Sequence, residues 1–156
     1  RALGFKGGKV LEGSAGIGNI IGAMPTDMSE RSNIQAVEID ETTGNILSLL
    51  YTDAKVDVQG FEATRVPNGS VDLAITNVPF VTGLHVSDET GDNDLSKKLR
   101  DIHDFCIAKN VRKLREGGIG IFITSNGTLD SSCRGEGSGA MPCRLEQRWN
   151  RRADAL

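Results

Sequence analysis

This 156-residue chain has no cysteine motif, no long apolar run and no strong excess of charge of either sign. Its three cysteines, Cys106, Cys133 and Cys143, form no C-x-x-C pair and are odd in number. That spacing suggests neither a structural zinc site nor a disulfide framework, so we expect no metal and a reducing, cytoplasmic setting. No apolar run approaches the ~20 residues that a membrane-crossing helix needs. The formal net charge of −3 gives no overall attraction to nucleic acid, so any DNA contact must come from a local basic patch or from a segment outside this chain. No basic-then-apolar leader follows Arg1, and the chain stops at Ala155-Leu156 in what reads as the middle of an element. Both ends are therefore expected to be cut.

The remaining composition, 38% hydrophobic and 25% charged, is ordinary for a globular protein, and the length suits one core. Lys9 to Leu11 form a short apolar strand leading into Glu12-Gly13-Ser14-Ala15-Gly16-Ile17-Gly18, and Ile17 to Met24 carry apolar residues at helical spacing up to Pro25. The unit repeats. Ile34 to Asp40 are strand-like, and Thr42 to Leu50 read as a helix burying Ile46, Leu47, Leu49 and Leu50. Val56 to Val58 are a brief third strand, and after the turn Pro67-Asn68-Gly69-Ser70 a fourth runs from Val71 to Thr76 and stops at Asn77. A long amphipathic pattern from Leu95 to Leu114, closed by Gly117-Gly118, precedes a fifth strand from Ile119 to Thr124. Strands with nearly continuous apolar cores, alternating with helices, predict an α/β fold with a doubly wound, mostly parallel sheet. This catalytic domain is expected over residues 1–130. Residues 131–156, rich in Gly and Ser and then in Arg, read as a linker or truncated element.

In such a sheet the turn after the first strand commonly meets a nucleotide-like cofactor. Gly13, Gly16 and Gly18 remove side chains where backbone must turn and approach a ligand. Glu38, twenty residues after Gly18, closes the second strand, where a carboxylate can accept both hydroxyls of a ribose. A dinucleotide site would show G-x-G-x-x-G with a pyrophosphate on the helix N-terminus; here the order is G-x-x-G-x-G and an acid, Glu12, precedes it. Glu12 would repel a pyrophosphate and attract the ammonium of a methionine moiety, which favours S-adenosylmethionine.

Asn77-Val78-Pro79-Phe80 follows the fourth strand directly, beside the crevice. The exocyclic amino group of adenine is a poor nucleophile because its lone pair is delocalised into the ring. A methylating site must therefore offer acceptors that draw the nitrogen toward tetrahedral geometry. The Asn77 side-chain oxygen and the Val78 carbonyl can do this, Pro79 fixes φ, and Phe80 offers a face on which an extruded base can stack.

With these residues in place, the stretch from Gly8 to Asp130 resembles the DNA N6-adenine methyltransferases, particularly the N6 DNA methylase module of restriction-modification systems and of mobile-element methylase/helicase proteins. Glu12 to Gly18 looks like that family's cofactor loop, Val37-Glu38-Ile39-Asp40 like its ribose acid, and Asn77 to Phe80 like its (N/D)-P-P-(Y/F) tetrapeptide. The resemblance implies a Rossmann-like S-adenosylmethionine-dependent fold and an adenine base flipped out of DNA into the site. Its catalytic residues would be Asn77, Val78, Pro79 and Phe80. Its cofactor-binding residues would be Glu12, Gly13, Ser14, Gly16, Gly18, Glu38, Phe61 and Glu62. The chain departs from the pattern at three places. Gly60 stands where the family has an acid, leaving Phe61 to pack on the cofactor adenine and Glu62 to supply the acceptor; Val78 replaces the first proline; and Gly13 replaces a proline common in the loop. The family's target-recognition region is expected outside this chain or in a partner.

Two other readings stay open. One is a methyltransferase acting on a protein glutamine or an RNA base, and the other is a non-catalytic cofactor- or DNA-binding module of a larger helicase-like protein. His103 reads as a structural helix residue, His85 as part of a solvated connection between Gly83 and Asp94, and Arg144, Arg148, Arg151 and Arg152 as a solvated face that could also meet phosphates.

Overall fold

The computed structural model describes residues 3–81, 84–92, 95 and 102–124. The stretch 96–101, Ser125-Asn126-Gly127 and the Gly/Ser- and Arg-rich tail lie outside the described residues. Residues 1–123 cluster as one compact unit.

Among the described residues five strands make one sheet: β1 (Gly8–Glu12), β2 (Ser32–Glu38), β3 (Lys55–Val58), β4 (Val71–Asn77) and β5 (Leu114–Ile123). They lie in the order β3-β2-β1-β4-β5, and every neighbouring pair is parallel. The order reverses between β1 and β4, so their carboxyl ends, Glu12 and Asn77, flank the switch point where such sheets open a crevice. The register sets Glu12 opposite Ala36 and Glu38 opposite Val58, which brings the ends of β1, β2 and β3 to one edge of the sheet.

The helices are α1 (Asn19–Gly22), α2 (Thr26–Ser29), α3 (Glu41–Leu50) and α4 (Ile102–Lys113), with a 3-10 turn at Phe61–Ala63. On one face Val10, Ile34, Ala36 and Leu73 of the strands pack with Ala15, Ile21 and Leu47. Helix α4 packs on β4 and β5 and buries Phe105, Cys106 and Ile107.

Four expectations change. The helix expected over Ile17 to Met24 is a single turn, because Gly18 holds φ at +86° as its N-cap; Pro25 then caps a second turn, α2, instead of ending the first. Helix α3 starts on Asp40, whose carboxylate accepts the Thr43 N–H at 2.7 Å, but it buries only Gly44 and Leu47. Ile46, Leu49 and Leu50 face outward because the helix approaches β3 through Gly44, where an added methyl would lie 2.9 Å from the methyls of Val58. Finally, α4 ends at Lys113 and Leu114 is already paired with Val71. Gly117-Gly118 is not a helix stop but part of an irregularity inside β5, where the register jumps between Val71 and Leu73 and Gly117 takes φ +72°.

Candidate active site

The glycine turn is held from three sides. The Ala15 N–H donates to Val37 O at 2.8 Å, and the Gly16 N–H donates to Glu38 Oε2 at 2.8 Å, while the other oxygen of Glu38 accepts from the Asp40 N–H at 2.9 Å. The Ser14 hydroxyl donates to Asn77 O at 2.8 Å and lies 2.7 Å from Thr76 Oγ1. The third anchor is Tyr51, whose hydroxyl donates to Gly18 O at 3.0 Å and whose ring overlies Gly18.

The three glycines differ in purpose. Gly18 is crowded, since a methyl there would lie 2.7 Å from Leu47 Cδ1. Gly13 is packed from beneath, with a notional methyl 2.9 Å from Asn110 Nδ2 and 3.0 Å from Phe61 Cε1. Gly16, at φ +56°, has no atom of the described residues within 4 Å of that position, so among them the backbone there faces space a ligand can enter.

Glu12 is 1% exposed, and its Oε2 has no hydrogen-bond partner among the described residues. Burial without a compensating donor pushes its pKa up to about 8, so at neutral pH the carboxyl is largely protonated. Phe61 is buried with its edge at Gly13 and the Lys109 ammonium 5.4 Å from its ring centroid. The Glu62 carboxylate folds back over Gly60 and occupies the space in which a side chain at position 60 would begin.

At the end of β4, Asn77 is exposed. Val78 is fully buried, and its N–H donates to Ile123 O at 3.0 Å. Pro79 is half-buried, and Phe80 is 55% exposed. All the residues singled out from Glu12 to Gly18, with Glu38, Phe61, Glu62 and Asn77 to Phe80, thus lie on the carboxyl side of the sheet.

The sequence reading missed the supporting residues. Lys109 is completely buried; it donates to Asp88 Oδ2 at 2.7 Å and to Glu62 O at 2.8 Å. Burial pushes the Asp88 carboxyl up, but hydrogen bonds from Lys109 and Thr90 outweigh it and bring the pKa down to about 2. His103, read from the sequence only as a structural helix residue, reaches Pro79, and the unread Thr76, Tyr51 and Asn110 each contact the glycine turn or its neighbours. A hollow of about 690 Å³ lined by Arg65, Asn68, Thr90, Asp92 and Lys113 sits by the amino end of β4, so it is not part of this crevice.

The overall architecture matches solved structures. A protein from Listeria monocytogenes described as a class I S-adenosylmethionine-dependent methyltransferase superposes with a TM-score of 0.62 at 17% identity, over 81% of this chain and 42% of that one. The fold is that of the class I S-adenosylmethionine-dependent methyltransferases. A TehB-like S-adenosylmethionine-dependent methyltransferase from Corynebacterium glutamicum gives 0.54 at 16% identity, over 78% of this chain and 56% of that one. A geranyl diphosphate methyltransferase in complex with S-adenosylmethionine gives 0.54 at 16% identity, over 77% and 44%. The chain thus spans about half the length of these methyltransferase-fold proteins or less. No family model matches it, and no curated protein does. No described helix is long and apolar enough to cross a membrane.

Proposed function

We propose that the chain is the cofactor-binding and catalytic part of a methyltransferase that moves a methyl group from S-adenosylmethionine to N6 of adenine in DNA. The observation that carries this reading is the placement of Asn77-Val78-Pro79-Phe80 at the end of β4, bound through Asn77 O to Ser14 of the glycine turn.

The residues at the turn fit this cofactor and not a pyrophosphate. No lysine or arginine lies between Glu12 and Gly18, and α1 is a single turn without a side-chain cap, so neither fixed charge nor a helix dipole is offered to an anion. Acceptors dominate instead. The unpartnered Oε2 of Glu12 suits an ammonium donor, and the Glu38 carboxylate, steadied by two backbone N–H groups, retains lone pairs for ribose hydroxyls. Glu62, lying over Gly60, supplies the acceptor that position 60 lacks.

When bound, S-adenosylmethionine supplies a methyl group on positively charged sulfur. The chain's own residues align the acceptor. The Asn77 side-chain oxygen and the Val78 carbonyl accept hydrogens of the adenine amino group, and the exposed face of Phe80 stacks the base for ~1 to 3 kcal/mol. Extrusion of the base follows from the need to reach an atom otherwise inside the duplex. Recognition of a DNA sequence is assigned in this reading to a region beyond this unit.

Transfer of labelled methyl from S-adenosylmethionine to DNA, RNA and protein, with calorimetric titration of the cofactor into the chain and its Glu38→Ala variant, tests the proposal. Label in DNA adenine, lost in the variant, is the expected result. Label in RNA or protein alone would reassign the substrate, and cofactor binding without transfer to any acceptor would favour a non-catalytic module.

A further inference from the structure

His103 lies on the first turn of α4, 24 residues beyond Pro79, where the sequence marks it only as a packed helix residue. Its Nδ1 is 3.2 Å from Pro79 O, and its ring centroid is 6.0 Å from that of Phe80, with the planes 38° apart. A carbonyl oxygen can only accept, so Nδ1 carries the hydrogen.

We propose that His103 is a positioning residue that fixes the Phe80 platform, an inference that rests on the methyltransferase reading and names what sets the geometry of its substrate side. The backbone from Asn77 to Phe80 is restrained one torsion at a time. The Val78 N–H bond to Ile123 O and the fully buried Val78 side chain hold the start of the segment. The ring of Pro79 locks φ. Of the torsions left soft, ψ of Pro79 is the one whose rotation both swings the Pro79 carbonyl and carries Phe80 with it. His103 grips that carbonyl. Phe80, more than half exposed, has little packing of its own, and the imidazole is an aromatic neighbour beside its ring.

The grip is anchored. The Ile102 N–H donates to Leu84 O at 3.0 Å, tying the start of α4 to the segment after Phe80, and Lys109, two turns on, is fully buried and bound to Asp88 and Glu62. The histidine therefore connects the platform to a fixed element. A misplacement of the reacting groups by 1 Å can cost about a hundredfold in rate. The function of the grip is to prevent that misplacement without touching the base.

Three variants separate the parts of this role. His103→Ala removes both contacts, His103→Phe keeps a ring without the donor, and His103→Asn keeps a donor nitrogen attached, like Nδ1, to Cγ. In His103→Ala and His103→Phe, kcat for adenine methylation should fall about ten- to a hundredfold while cofactor Kd stays within about twofold; His103→Asn should recover most of the loss. Backbone 15N relaxation supplies a readout that needs no substrate: the order parameter of the Phe80 amide should fall from about 0.85 toward about 0.6 in His103→Ala and His103→Phe, not in His103→Asn, with the β1 amides unchanged. Wild-type kcat and a wild-type Phe80 order parameter in His103→Phe would overturn the proposal, as would failure of His103→Asn to restore either. If the parent protein methylates no adenine but the relaxation pattern holds, the substrate reading fails and the positioning role stands.

Discussion

The Ser14 hydroxyl and the main-chain oxygen of Asn77, 63 residues apart in sequence, are joined by a 2.8 Å hydrogen bond across the switch point of the sheet. The bond links the turn read as the cofactor site to the segment read as the substrate site, and Thr76, 1% exposed, shares the same hydroxyl. Ser14→Ala deletes it and leaves the buried Thr76 hydroxyl without that partner. We expect a loss of about 1 kcal/mol in urea unfolding, together with weaker cofactor binding by calorimetry. Unchanged affinity would mean that the two sites are not coupled through this contact.

Glu12 carries a pH signature. Its folded-state pKa, about 8, stands above the ordinary 4.5, so the folded protein holds a proton that the unfolded chain releases. The stabilisation is fully present below pH 4.5, declines as pH rises from there toward 8, and is absent above. The thermal midpoint of the wild type should therefore fall across that window more steeply than that of Glu12→Gln, which has no proton to lose. A cationic ligand beside the carboxyl reverses its preference, so cofactor binding at pH 7 should release up to one proton. Binding enthalpies measured in buffers of different ionisation heat would show this release in the wild type and not in Glu12→Gln.

Gly16 and Gly18 both take positive φ but should respond differently to alanine. At Gly16 the methyl meets open space, so Gly16→Ala costs only the left-handed backbone penalty of about 1 to 2 kcal/mol. At Gly18 the same penalty applies and the methyl overlaps Tyr51 and Leu47 as well, so the loss should exceed that of Gly16→Ala by at least about 1 kcal/mol. Urea unfolding of the two variants checks the order. Gly16→Ala, though the milder for stability, places its methyl in the ligand's approach and should impair cofactor binding.

The contrast between these glycines shows what was legible in the sequence. The strand, glycine turn, strand-end acid Glu38 and strand-end tetrapeptide could be placed because each is a local pattern, and a parallel sheet aligns the ends of its strands automatically. Glu38 and Asn77 fell where their spacing placed them. Helix faces could not be read the same way. Ile46, Leu49 and Leu50 have the periodicity of a buried face, yet close approach at Gly44 turns α3 so that only Leu47 joins the core. Gly117-Gly118 has the chemistry of a helix stop and serves as a strand irregularity, because pairing of Leu114 with Val71 begins the strand earlier. The partners of His103 and Lys109 could not be read, since they lie 21 to 47 residues away and only the packing of α4 brings them together.

Lys109 and Asp88 form an ion pair with both side chains fully buried. Removing the cation alone leaves a desolvated carboxylate, so Lys109→Met should destabilise the chain by about 3 to 5 kcal/mol. Asp88→Asn in the same chain removes the stranded charge and keeps Oδ1 as acceptor for the Thr90 and Asp92 N–H groups, so the double variant should recover part of the loss. Equal stability of the single and double variants in urea unfolding would show that the charge is not what matters.

The same lysine also bears on the order in which the chain assembles. It joins segments near residues 62, 88 and 109, each separated from the next by more than twenty residues, and it has both its counter-charge, Asp88, and its carbonyl acceptor, Glu62 O, only when all of them have arrived. An interaction with that requirement belongs late on the folding path. Its loss should leave the refolding rate nearly unchanged and accelerate unfolding, so that the ion pair acts as a latch that sets the lifetime of the native state.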